Sequence, residues 1–221
     1  MVILGLTGCI AMGKSAAAEM FRRLGVPVHD ADEAVHRMLA RGGAAVAAVE
    51  AAFPGAGRDG AIDHEAVAKR VFGDKAALRR LESILHPLVE IDQGQFLNTA
   101  ARRGETLVVL DVPLLFETGG DEMCDSVAVV SAPPRVQTER LLKRPGMTHE
   151  RVDAIRGLQM SDGEKKRRAD YVIPTGLGRN FTLRKIKEIV EDLRTGAKRG
   201  SGSRFSRSNR LRGPIKGKDH A

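Results

Sequence analysis

Gly8-Cys9-Ile10-Ala11-Met12-Gly13-Lys14-Ser15 sets two glycines around four residues and follows them with a lysine and a hydroxyl. That is the spacing of a phosphate-binding loop. The glycines let the backbone wrap so that its N–H groups turn inward, and a helix starting behind them adds the positive end of its dipole. In this reading Ala11, Met12, Gly13, Lys14, Ser15 and Ala16 meet the phosphates, Lys14 lies along the outer ones, and the Ser15 hydroxyl is a Mg²⁺ ligand. Met12 and Ala11 stand where glycine or other small residues are common, and Ala16 where a second hydroxyl is frequent. The competing reading is an ordinary strand-to-helix turn with a chance lysine.

Two further groups have the chemistry such a loop needs. Asp30 and Asp32 close the short strand signal "GVPVHDAD", on the sheet edge that carries the loop. A carboxylate there can orient an incoming hydroxyl or take its proton, and can help to hold Mg²⁺. Asp30-Ala31-Asp32-Glu33 also reads as a helix N-cap followed by a glutamate. Capping alone accounts for Asp30 and leaves Asp32 unexplained. Arg140 and Arg144, four apart, share a face of a helix that Pro145 ends. They read either as a solvated helix end or as lid cations that neutralise a transferring phosphoryl group. "EKKRRAD" adds positive charge that reads as mostly solvated.

The elements that must position these groups alternate between strand and helix, which predicts an α/β fold with a five-stranded parallel sheet. "VILGL", "VPVHD", "TLVVLDV", "DSVAVVSA" and "DYVIP" are the strands. Helical periodicity fills the long stretch from residue 33 to 103, interrupted by the Pro/Gly break "FPGAGRDG". A second helical insertion runs from 135 to 169, with Thr148 as an N-cap within it. The predicted organisation is a domain over 1–197, with its core at 1–32, 104–134 and 170–197, and a basic tail at 198–221.

The chain has 221 residues, 42% of them hydrophobic, enough for one good core. Its net charge of +8 suggests a nucleic-acid partner until the charges are located: Lys198 to Ala221 holds eight Lys or Arg and one Asp, which leaves the body nearly neutral. Nucleic acid is therefore not expected as a partner, except through this Gly/Ser/Arg-rich tail, which reads as disordered and solvated. No run approaches a membrane span, and the first residues pass straight into the loop without a leader pattern. Cys9 and Cys124 form no spacing pattern, so free thiols in a reducing cytoplasm are expected.

Taken together, "LTGCIAMGKS", "HDADEAVHR", "LHPLVE", "LDVPLLFE", "RLLKR…LQ" and "KKRRADYVI" resemble, in order and spacing, the dephospho-coenzyme A kinases. The resemblance runs from Met1 to about Val190. It implies a P-loop kinase fold like that of nucleoside monophosphate kinases, with a helical substrate-binding insertion and a lid. It also implies transfer of the γ-phosphate of ATP, with Mg²⁺, to the ribose 3′-hydroxyl of dephospho-coenzyme A. By position, Asp32 matches the catalytic aspartate, and Lys14 and Arg144 join it. Asp30, Arg37, His86, Pro113, Leu114, Leu115 and Glu117 fall where the family binds its acceptor, Arg140 and Arg144 where it binds ATP, and Ser15 with Asp32 at the metal. His86-Pro87 reads equally as a helix broken by proline. Asp111 is placed to support Mg²⁺ from behind. Pro174 stands where an acidic or amide residue is usual near the adenine. Another small-molecule or nucleoside monophosphate kinase of this architecture is the alternative; a GTP-binding switch lacks its guanine-reading segment here.

Overall fold

The computed structural model describes residues 1–148, 152, 156, 157 and 159–196. The basic tail and part of the helical reading behind Thr148 lie outside them. Strands β1 (Val2–Thr7), β2 (Val28–Asp30), β5 (Leu107–Asp111), β6 (Ser126–Ser131) and β7 (Tyr171–Pro174) form one sheet in the order β2-β5-β1-β6-β7. β1 pairs in parallel with both β5 and β6, and β6 with β7. Every residue of β1, β5 and β6 is buried, which is why they read as unbroken apolar runs instead of alternating ones.

Two compact units divide the chain. The first comprises Met1–Val28 and the described residues from Gly104 on. Its helices are α1 (Lys14–Arg23), α6 (Pro134–Leu142), α7 (Asp162–Arg168) and α8 (Arg179–Thr195). Leu4, Leu6, Phe21, Val109, Val130, Ile173 and Ile186 form its core between sheet and helices.

The second unit, His29–Arg103, contains α2 (Ala31–Leu39), α3 (Val46–Ala52), α4 (His64–Val71) and α5 (Lys75–Arg102). It also contains a small hairpin of β3 (Gly57–Arg58) and β4 (Ala61–Ile62) where the sequence suggested only a break. Asp59 (φ 52°) and Gly60 (φ 78°) turn it, and positive φ at both central residues is what a two-residue Asp-Gly hairpin needs. α5 runs unbroken for 28 residues through Pro87. A proline in a helix interior costs about 3 kcal/mol. Leu81, Ile84, Leu85, Leu88 and Val89, on both sides of it, pack into the core with Met38, Val49 and Phe53. Leu85 is buried and the other four are partly buried, so even a fraction of the roughly 1.5–3 kcal/mol that full burial of each would give offsets the loss.

Candidate active site

The loop that follows β1 is shaped by backbone demands. A Cβ on Gly8 would lie 2.3 Å from Val130 Cγ2 and 2.8 Å from the Val130 carbonyl oxygen, so only glycine lets the chain leave the sheet here. Ala11 (φ 60°) and Gly13 (φ 92°) are left-handed. Gly13 is the N-cap of α1 and supplies no side-chain cap, so no protein side chain at that cap competes for the first-turn N–H groups. Ser15 and Ala16 are exposed in that first turn.

Lys14 Nζ stands 2.8 Å from Asp111 Oδ1, and the Asp111 side chain is fully buried at the end of β5. The pairing of Leu6 with Asp111 across β1 and β5 puts this carboxylate directly beneath the loop. Met12, unusual for its size, is buried, and its sulfur accepts the Ala132 N–H at 3.1 Å. The large residue fills space that a glycine would leave open.

Arg140, on α6, donates to the Ala11 carbonyl at 3.2 Å and to the Thr175 carbonyl at 2.7 Å. It is built into the loop's support. Arg144, in the turn after α6, is exposed. Pro174 ends β7, its carbonyl accepting from Thr182 Oγ1 at 2.8 Å, and the next residue, Thr175, donates its hydroxyl to the Met12 carbonyl at 2.5 Å.

The run Pro113 to Glu117 does several jobs. The Pro113 carbonyl accepts from Thr7 Oγ1 at 2.9 Å and from Lys165 Nζ at 3.3 Å. Leu114 is 41% exposed, whereas Leu115 is buried and packs so close to Gly5 that a Cβ there would come within 2.6 Å of it. Glu117 accepts from the Met160 N–H at 3.0 Å and pairs with Lys165 Nζ at 2.8 Å. Burial pushes the Glu117 carboxyl up, but the hydrogen bonds from Lys165 and the backbone outweigh it and hold the group below its ordinary range. Lys165 belongs to the segment expected to be mostly solvated; its side chain is instead fully buried, because Glu117 and the Pro113 carbonyl satisfy its charge. Cys9 and Cys124 are free and buried thiols. Burial raises Cys9 above the ordinary thiol value, which keeps it protonated and unreactive.

In the second unit Asp30 is the N-cap of α2, accepting the Glu33 N–H at 3.1 Å. Asp32 sits exposed in the first turn of the same helix. Arg37 Nη2 lies 3.1 Å from Asp92 Oδ2, and that oxygen also meets His29 Nε2 at 2.8 Å. His86 is exposed on α5 just before Pro87. His29 and Asp92 were not singled out by the sequence; a buried histidine on a strand and an aspartate in mid-helix carry no local signal.

A parallel sheet, a glycine-bracketed loop opening a helix, and a lysine held over a buried carboxylate define a P-loop kinase. A family model for dephospho-CoA kinase matches residues 2–177. The chain is 61% identical to the dephospho-CoA kinase of Paramagnetospirillum magneticum, over 88% of this chain and 92% of that one. It is 51% identical to that of Mesorhizobium japonicum, over 91% of this chain and 100% of that one. The solved dephospho-CoA kinase of Campylobacter jejuni superimposes with a TM-score of 0.66 at 22% identity, covering 88% of this chain and 98% of that chain, and shows a shared fold. The chain belongs to the dephospho-CoA kinase family, enzymes that use ATP to phosphorylate dephospho-CoA in the last step of coenzyme A synthesis.

Proposed function

We propose that this chain moves the γ-phosphoryl group of ATP to the ribose 3′-hydroxyl of dephospho-CoA. The observation that carries the reading is Lys14, fixed 2.8 Å from buried Asp111 at the start of a helix with no side-chain cap. The loop N–H groups of Ala11 and of Gly13 to Ala16 bind the β- and γ-phosphates, with the Met12 N–H spent on the Cys9 carbonyl, and Lys14 follows the charge onto the leaving side as the bond to the γ-phosphorus breaks. Asp32 orients the acceptor hydroxyl and takes its proton as the oxygen attacks phosphorus, with ADP leaving. Arg37, His86, Leu114 and Glu117 serve the acceptor, Arg140 shapes the nucleotide site, and Arg144 meets the transferring phosphoryl group from a lid over 135–169.

Mg²⁺ fits these residues. It takes few protein ligands and keeps water and phosphate oxygens, and the Ser15 hydroxyl and the Asp32 carboxylate are oxygen donors of the kind it takes. Among the described residues no cluster of three or more metal-binding side chains competes. The ion, when bound, neutralises charge on the phosphates.

Among the described residues no helix is long and apolar enough to cross a membrane. The test is a panel of acceptors offered with ATP and Mg²⁺: dephospho-CoA, shikimate and nucleoside monophosphates. ADP release is expected with dephospho-CoA. Turnover of another acceptor in its place overturns the reading.

A further inference from the structure

Ile10, in the middle of the phosphate loop, is gripped on both sides by glutamine. Its N–H donates to Gln159 Oε1 at 3.0 Å, and its carbonyl accepts from Gln137 Nε2 at 2.9 Å. Gln137 is only 4% exposed. Its own oxygen accepts from Arg156 Nε at 3.1 Å and Nη2 at 2.9 Å. The guanidinium has no acceptor to offer, so it fixes which end of the amide faces the loop. Two more loop carbonyls are held in the same manner, Ala11 by Arg140 and Met12 by Thr175. Across a trans peptide the carbonyl and the following N–H point in opposite directions. Carbonyls tied to outside donors therefore turn the N–H groups of Ala11 and Gly13 toward the loop interior, where a phosphate is cradled, while the Met12 N–H closes the turn on the Cys9 carbonyl at 3.1 Å. The tied carbonyls also hold Ala11 in a left-handed conformation that a residue with a Cβ avoids.

We propose that Gln137 is a positioning residue for the nucleotide: oriented by Arg156, it holds the Ile10 carbonyl outward and keeps the phosphate loop formed before ATP arrives. This rests on the loop being the ATP site. Gln137 touches backbone, not substrate, and acts through the loop's N–H groups.

Gln137→Glu separates this role from plain packing. It keeps an acceptor for Arg156 but turns a carboxylate toward the Ile10 carbonyl, so the fold is retained and the grip is lost. Gln137→Met removes both bonds. ADP binding by calorimetry on the full chain, together with steady-state constants, reads the outcome. ADP affinity is expected to fall about tenfold and KM for ATP to rise similarly in both variants, with KM for dephospho-CoA unchanged. Arg156→Ala, which leaves Gln137 in place but unoriented, should give a smaller loss of the same sign and serves if the Gln137 variants do not fold. Wild-type ADP affinity in Gln137→Glu overturns the proposal, as does an equal loss toward dephospho-CoA. If the wild-type chain itself fails to bind ADP, the reading of the loop falls instead.

Discussion

The helices α2, α4 and α5 of the His29–Arg103 unit each begin at an aspartate: Asp30 accepts the Glu33 N–H, Asp63 those of Glu65 and Ala66, and Asp74 those of Ala76 and Ala77. In the other unit α1 begins at Gly13 with no side-chain cap. Both arrangements answer the same problem, since a helix start leaves N–H groups unpaired and carries partial positive charge. At α2, α4 and α5 the chain supplies its own carboxylate, whereas α3, α6 and α8 begin without a side-chain cap, as α1 does. What sets α1 apart is the loop ahead of it, whose carbonyls are held from behind by Gln137, Arg140 and Thr175, as the proposed phosphate site requires. A structural aspartate and a ligand phosphate are alternatives at a helix N-terminus.

Asp32 tests the comparison most severely, because α2 carries two carboxylates in its opening residues and only Asp30 is the cap. Asp32→Asn should lower kcat by roughly 10²- to 10⁴-fold with little change in Tm, since Asp32 is exposed. Asp30→Asn keeps capping ability and should be milder. The reverse order, in dephospho-CoA-dependent ADP release beside melting curves, would exchange the two roles.

Lys14→Met should cost about 10²- to 10³-fold in kcat and also lower Tm, because it takes the lysine from beside the buried Asp111 carboxylate. Breaking a buried pair on one side typically costs about 3–5 kcal/mol. Lys14→Met with Asp111→Asn should recover the melting temperature without recovering turnover. Recovery of both would make the lysine a structural counter-ion.

Arg144→Ala is expected to reduce kcat about tenfold and raise KM for ATP, with acceptor binding less affected. Unchanged steady-state constants would assign Arg144 to the solvated end of α6.

Smallest of all should be the aspartate caps of the helical unit. Backbone hydrogen bonds hold the Asp63 carboxyl (from Ala66, then Glu65) and the Asp74 carboxyl (from Ala77, then Ala76) below the ordinary value. A carboxyl depressed in the folded state contributes stability above its unfolded value of about 3.9, and that contribution is lost as pH falls through the lower folded value. Asp63→Ala and Asp74→Ala should therefore lower Tm slightly at neutral pH, leave kcat unchanged, and flatten the loss of Tm below about pH 4. A pH-independent Tm difference from the wild type would mean the caps act through something other than charge.

What the sequence by itself determined about this protein is what lies within a few residues. The apolar runs that became β1, β5 and β6, the glycine spacing of the loop, and the Asp30 cap of α2 are short-range patterns, and the chain reads them locally. The Asp-Gly turn of the small hairpin was equally local, a signal present but taken for a break. Other features required partners far along the chain. Gln137 meets Ile10 across 127 residues, Lys165 meets Glu117 across 48, and His29 meets Asp92 across 63. Nothing beside Lys165 distinguishes it from Lys166, yet one is buried and the other 42% exposed. The same holds for Pro87, where local chemistry favours a break and packing on both sides keeps the helix whole. Backbone propensity and capping act between near neighbours, whereas desolvation of a charge, the aim of an amide and the burial that offsets a proline are decided by whatever the fold brings to that place.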